Sequence, residues 1–137
     1  MALLDVNALV ALAWDSHVHH AAIRRWFAEH CELGWSTCAI TESGFVRVSA
    51  NPAVLPSPVT VQAGRDVMSA LRRAGSHRFL ANDVSITADD VPPVARHRDV
   101  TDAVLLTVAR RHEVPLVTFD SGIAALASGA EVELLTA

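Results

Sequence analysis

The chain has 137 residues, a length suited to one domain, and is 51% hydrophobic, enough for a single core. A net charge of −4 argues against a generic polyanion-binding tail. The sequence has no apolar run of about 18 residues and no basic-then-apolar leader, so the expectation is a soluble cytoplasmic domain spanning residues 1–137, with no membrane association.

Cys31 and Cys38 are too few for a disulfide framework or for a zinc site, which takes about four ligands. The seven histidines are scattered. All 11 basic residues are arginine, the side chain suited to planar two-toothed phosphate contacts. Eight of them fall in pairs at Arg24-Arg25, Arg72-Arg73 and Arg110-Arg111 or in an Arg96-His97-Arg98 cluster. Each pair alone reads as a solvated helix face. Together they suggest local basic patches around an acidic centre.

In chain order, residues 2–5 read as a short buried strand and Val6–Trp14 as an apolar helix. Ser16 is a candidate N-cap for a helix from His17 to about Cys31, whose stripe is Val18, Ala22, Ile23, Trp26 and Phe27. Trp35–Cys38 reads as a strand and Ala39 to about Ala50 as a helix ended by Asn51-Pro52. Thr60 can cap a helix carrying Val61, Gly64, Met68 and Leu71, ended by Gly75. Arg78–Ala81 is a weaker strand, and Ser85–Asp90 a short helix closed by Pro92-Pro93. Thr101 is the expected cap of a central helix from Asp102 to about His112. Leu116–Phe119 reads as a strand, a short helix follows Asp120, and Val132–Leu135 is a last strand. Strands alternating with helices predict an α/β fold with a parallel sheet covered on both faces.

Four carboxylates border these elements: Asp5, Glu42, Asp102 and Asp120. Parallel α/β sheets bind ligands at the carboxyl ends of their strands, so acids from distant parts of the chain can share one crevice. Taken singly, Asp5 and Asp120 can cap the helices that follow, Asp102 can sit in a favourable first turn, and Glu42 can be a surface residue. Taken together they point elsewhere. Like charges at close range need a counter-charge, and Mg2+ or Mn2+ is the usual one.

The sequence resembles a PIN-domain ribonuclease, specifically a VapC-type toxin of a type II toxin–antitoxin pair. The likeness rests on Leu3-Leu-Asp-Val-Asn-Ala-Leu-Val-Ala-Leu12, on Val18-His-His-Ala-Ala22 with Trp26-Phe27, and on Thr37–Pro52 with Thr41-Glu-Ser-Gly-Phe-Val-Arg47. His77-Arg-Phe-Leu80, His97-Arg-Asp-Val-Thr-Asp-Ala-Val-Leu-Leu106 and Leu116-Val-Thr-Phe-Asp120 complete it, in order along nearly the whole chain.

The resemblance implies a three-layer α/β/α sandwich, PIN-like and Rossmann-like, around a mostly parallel sheet of four to five strands. It implies that Asp5, Glu42, Asp102 and Asp120 form the metal-binding and catalytic cluster, with Asp5 and Asp102 as direct ligands. Asn7 and Thr118 are candidates to support it by hydrogen bonds, and Asp99, one helical turn before Asp102, is a candidate to add a ligand or to support the cluster from behind. Arg47, Arg96 and Arg98 are candidates for RNA contact. Ser121-Gly122-Ile123 departs from the basic or aromatic residue that relatives often carry there.

The implied activity is endonucleolytic hydrolysis of RNA, with Mg2+ or Mn2+ activating water and clamping phosphate oxygens. The implied partners are an RNA loop of tRNA or rRNA, a VapB-type antitoxin and a second copy of the chain. Apolar faces at Trp26/Phe27 or Val61/Met68 are candidates for such contacts, although both read more simply as core. Competing readings lack their residues: no lysine serves a receiver domain, and no G-x-G-x-x-G, G-x-x-x-x-G-K-S/T or G-x-S-x-G occurs. The remaining alternative is a catalytically silent PIN-like module that binds RNA or protein.

Overall fold

The computed structural model describes residues 1–127 and 131–136. Residues 128–130 and 137 of the expected 1–137 domain lie outside the described residues. The elements run β1 (Ala2–Leu4), α1 (Val6–Ala13), α2 (His20–His30), β2 (Trp35–Cys38), α3 (Ala39–Ser49), α4 (Val61–Leu71) and β3 (His77–Leu80). A 3-10 turn (His97–Asp99) then leads into α5 (Val100–Arg111), β4 (Leu116–Thr118), α6 (Ser121–Leu126) and β5 (Val132–Leu134).

The five strands form one sheet in the order β3-β2-β1-β4-β5, and every pairing is parallel. The α/β expectation holds, with the sheet parallel throughout. Side chains alternate across it. Leu4, Trp35 and Val117 face a core shared with Leu9, Ile23, Trp26, Phe45 and Met68, so α1–α4 cover that side. Leu3, Cys38, Leu80 and Leu116 face the other way, onto Leu105, Val108 and Ala109 of α5 and Ile123 of α6.

The chain leaves β1 toward β2 on one side of the sheet, while β4 and β5 lie on the other. The order therefore reverses between β1 and β4. In open parallel sheets the crevice beyond the strand ends at such a point is where ligands bind. Asp5 follows β1 there, and Asp120 follows Thr118 of β4 by two residues.

Several local expectations are corrected. Ser16 caps nothing: α2 begins at His20, and His19 at its N-cap position makes no side-chain cap bond. Thr101 lies inside α5, which starts at Val100 because the 3-10 turn has already wound the chain into helical geometry. Ser85–Asp90 forms turns, not a helix. There the Ser85 hydroxyl accepts from Thr87 N at 3.1 Å, a local bond that competes with helix formation. Thr60 does cap α4, accepting from Ala63 N at 3.0 Å. That helix stops at Leu71, short of Gly75, which takes a left-handed φ of +57° against the Cys31 carbonyl. Trp26 is buried and Phe27 packs on the core, as does Met68, but Val61 is exposed.

Candidate active site at the reversal between β1 and β4

Asp5 is held from both sides. Its Oδ1 accepts from Val6 N at 2.7 Å, capping α1, and its Oδ2 accepts the Thr118 hydroxyl at 2.7 Å. It is only 6% exposed. Burial raises its pKa, opposed by the Thr118 and Val6 hydrogen bonds, and Asp120 adds repulsion. Thr118 also accepts from Asp120 N at 3.0 Å, which folds the end of β4 back toward the site. Asn7 Oδ1 accepts from Phe119 N at 3.3 Å and its amide reaches Thr118 at 3.4 Å. Asn7 and Thr118 are thus hydrogen-bonded to each other at the end of β4, and Thr118 alone of the two reaches Asp5.

Asp120 caps α6, with Oδ1 accepting from Gly122 N at 2.7 Å. Gly122 has a reason here, since a Cβ at that position would stand 3.0 Å from the same oxygen. Asp102, in the first turn of α5, completes the group from the sheet's other layer. Burial, then the charges of Asp5, Asp120 and Asp99, push its carboxyl up to about 6. Asp102 thus feels three other aspartates across this crevice, and Asp5 feels Asp120. Asp99 is partly neutralised, because Arg96 grips it with two bonds of 2.8 and 3.2 Å.

The fourth expected carboxylate is not among them. Glu42 Oε2 accepts the Thr37 hydroxyl at 2.6 Å, and Oε1 lies 3.5 Å from Arg72 Nη1. Thr37 alternates with Cys38, so it shares the sheet face of Trp35, opposite the face of Asp102. Glu42 accordingly lines a groove between α3 and α4, with Arg65, Arg72 and Arg73. Neither Asp5 nor Asp102 is perturbed by its charge.

Two adjoining clefts flank Asp102. One, of about 430 Å3, is lined by Asp5, Asn7, Arg47, Arg98 and Thr101 over an apolar floor that includes Val10, Ile40, Val48 and Leu105. The other holds Arg96, Arg98, Asp99 and Asp120. All three arginines proposed for RNA contact therefore border the acids. His17 also lines the first cleft and was not singled out in the sequence, where nothing sets it apart from six other histidines.

The donor set suits a hard divalent ion, being carboxylate oxygens with mutual repulsion to relieve. Among the described residues no three His, Cys, Asp or Glu side chains form a finished metal cage. The fit lies in donor chemistry and charge.

A parallel five-stranded sheet with aspartates gathered where its strand order reverses is the arrangement of a PIN domain. The chain belongs to the PIN domain family, whose model matches residues 2–129. It is 62% identical over 139 residues to Ribonuclease VapC38 of Mycobacterium tuberculosis, covering 99% of each chain. To Ribonuclease VapC39 of the same organism it is 43% identical, covering 98% of this chain and 99% of that one. A crystal structure of Mycobacterium tuberculosis VapC20, described as a sarcin–ricin loop cleaving toxin, shares the fold. It matches with a TM-score of 0.63 and 13% identity, covering 95% of this chain and 98% of that chain.

Proposed function

We propose that this protein is the toxin of a type II toxin–antitoxin pair and hydrolyses RNA phosphodiester bonds with Mg2+ or Mn2+ held by Asp5, Asp102 and Asp120. The observation that carries the reading is the Asp102 carboxyl, raised to about 6 by burial and three neighbouring aspartates. Such a group is unfavourable until a cation joins it. The VapC ribonucleases among its relatives support the same reaction.

A bound ion supplies a more acidic water and stabilises charge on the phosphate oxygens. The chain supplies position. Val6 N and Thr118 fix both oxygens of Asp5. Arg47 and Arg98, which make no ion pair among the described residues, would hold phosphates on either side of the cut. Water oxygen bonds to phosphorus in line as the P–O3′ bond breaks, leaving a 5′-phosphate and a 3′-hydroxyl. The water's proton passes to one of the carboxylates and the leaving oxygen takes one from solvent. Glu42 would act from the rim, through water or not at all. Asp99, paired with Arg96, would orient that arginine toward Asp120.

The substrate we infer is single-stranded or loop RNA, in tRNA or rRNA, because splayed bases leave the backbone accessible. A VapB-type antitoxin and a second copy of the chain would be its partners, in the cytoplasm. Among the described residues no helix is long and apolar enough to cross a membrane. The silent-module alternative draws support from one observation, the engagement of Glu42 with Thr37 and Arg72. Incubating purified protein with total bacterial RNA, with and without Mg2+, separates the two. Magnesium-dependent cuts with 5′-phosphate ends support the nuclease, and intact RNA under all conditions refutes it.

A further inference from the structure

The 430 Å3 cleft beside Asp5 and Asp102 is larger and more apolar than a phosphate requires. Val10, Ile40, Val48 and Leu105 form its floor, and Val54, half exposed, lies at its rim. Its polar lining is partly committed, with Asp5 and Asn7 bonded to the end of β4, and partly free. The Thr101 hydroxyl and the Arg47 and Arg98 guanidiniums have no hydrogen-bonding partner among the described residues.

His17 is different: it is braced. Its Nδ1 accepts from His19 N at 3.0 Å, which leaves Nε2 unengaged. Its ring lies 5.6 Å from that of His19, which in turn stacks on Phe119 at 4.3 Å and 7°. Phe119 sits between Thr118 and Asp120, so the ring ladder ties the cleft wall to the strand end that carries the acids. Burial and the neighbouring His19 and His20 lower the His17 pKa, favouring the neutral ring. A flat neutral ring over an apolar floor, with two free cations alongside, suits a base attached to its phosphates.

We propose that this cleft is a base pocket: it takes one unpaired, extruded nucleobase next to the scissile phosphate. The base stacks on His17, Thr101 reads its edge, and Arg47 and Arg98 hold the adjoining phosphates. This rests on the nuclease reading for its register but makes its own demand, that a base and not merely a backbone be bound.

The test uses a short RNA containing a mapped cut site, with the nucleotide on each side replaced in turn by an abasic one. Base–aromatic stacking is worth roughly tenfold or more. One of the two abasic RNAs should be cut about tenfold more slowly than its parent by wild-type protein. His17→Ala should cut both RNAs at the same reduced rate, and His17→Phe should restore the difference. Equal cutting of parent and abasic RNAs by wild type overturns the pocket and leaves the nuclease standing. So does a His17→Ala variant that keeps full discrimination. If no cut site can be mapped, fluorescence anisotropy of a short single-stranded RNA and its fully abasic counterpart with Asp102→Asn decides: tighter binding of the base-bearing RNA, lost in the His17→Ala background, supports the pocket, and equal binding overturns it. If His17→Ala and Thr101→Val leave RNA untouched but weaken binding of an antitoxin-tail peptide, the cleft is a protein groove and the inference is wrong.

Discussion

Thr118 donates its hydroxyl proton to Asp5 Oδ2 over 2.7 Å, joining residues 113 positions apart. The same hydroxyl accepts from Asp120 N, so one oxygen sets the direction of two of the acids. Thr118→Val keeps the shape and removes both bonds. Leaving a buried carboxylate oxygen without its partner costs about 1–3 kcal/mol. The Asp5 pKa, which this bond holds down, should rise, so the acidic limb of the cleavage-rate profile moves to higher pH. Urea denaturation and a pH–rate profile check both, and an unmoved limb would contradict the role given to Thr118.

Asp102 sets a pH dependence whose sign is opposite to that of an ordinary paired carboxylate. Its pKa is raised from 3.8 to about 6 in the folded chain, so the folded state binds the proton more tightly than the unfolded one. That contribution is fully present below about pH 4 and is lost as pH rises through about 6. Without divalent metal, Asp102→Asn should therefore be more stable than wild type at pH 7, with the gap closing toward pH 4. The side chain is partly exposed, so screening holds the gain to the order of 1 kcal/mol, well below the full conversion of the shift. Added Mg2+ should stabilise wild type and leave Asp102→Asn nearly unchanged. Thermal melts across pH 4–7.5 would refute this if the variant were never the more stable.

Separation of Glu42 from the aspartates predicts unequal losses. Asp5→Asn and Asp102→Asn should each lower cleavage at least about a hundredfold, since a ligand position is lost along with its charge. Glu42→Gln should raise the Mg2+ concentration for half-maximal rate far less than Asp102→Asn does. Magnesium titrations of initial rate decide it. Equal metal requirements in the two variants would mean that Glu42 swings into the cluster when the ion arrives.

Two glycines test the packing that presents the site. A Cβ on Gly44 would stand 2.6 Å from Val6 Cγ2, where α3 presses on the residue after Asp5. Overpacking costs about 1–3 kcal/mol, against a gain of about 1 kcal/mol in helix propensity, so Gly44→Ala should be net destabilising. Gly75→Ala should be worse. It puts a side chain at φ +57° and drives a Cβ into the Cys31 carbonyl, for a loss of at least about 2 kcal/mol. Denaturant midpoints would rank the two.

Much of the fold was legible in the chain because local rules agreed with the global one. Trp35–Cys38 lies between two helical patterns and is a strand with those bounds. Thr60 precedes an amphipathic run and caps it. Failures came where geometry began a turn early, as at Thr101, or where side chains bonded locally, as at Ser85. The aspartates at strand ends were readable too, since chain direction alone sends them to one edge of a parallel sheet.

Residue type and order by themselves determined the parallel α/β class, the family, and the placing of Asp5 and Asp120 just beyond strand ends. Which acids share a face was left to the tertiary structure. A strand's side chains alternate between opposite layers, so Thr37 carries Glu42 toward Arg72 while α5 brings Asp102 over β1 and β4 from the other side. The same packing sets His17 beside Arg47 and Arg98, three residues that no spacing rule connects. Sequence distance cannot report such neighbours, because the contacts that make them are between helices whose relative placement only the packed core decides.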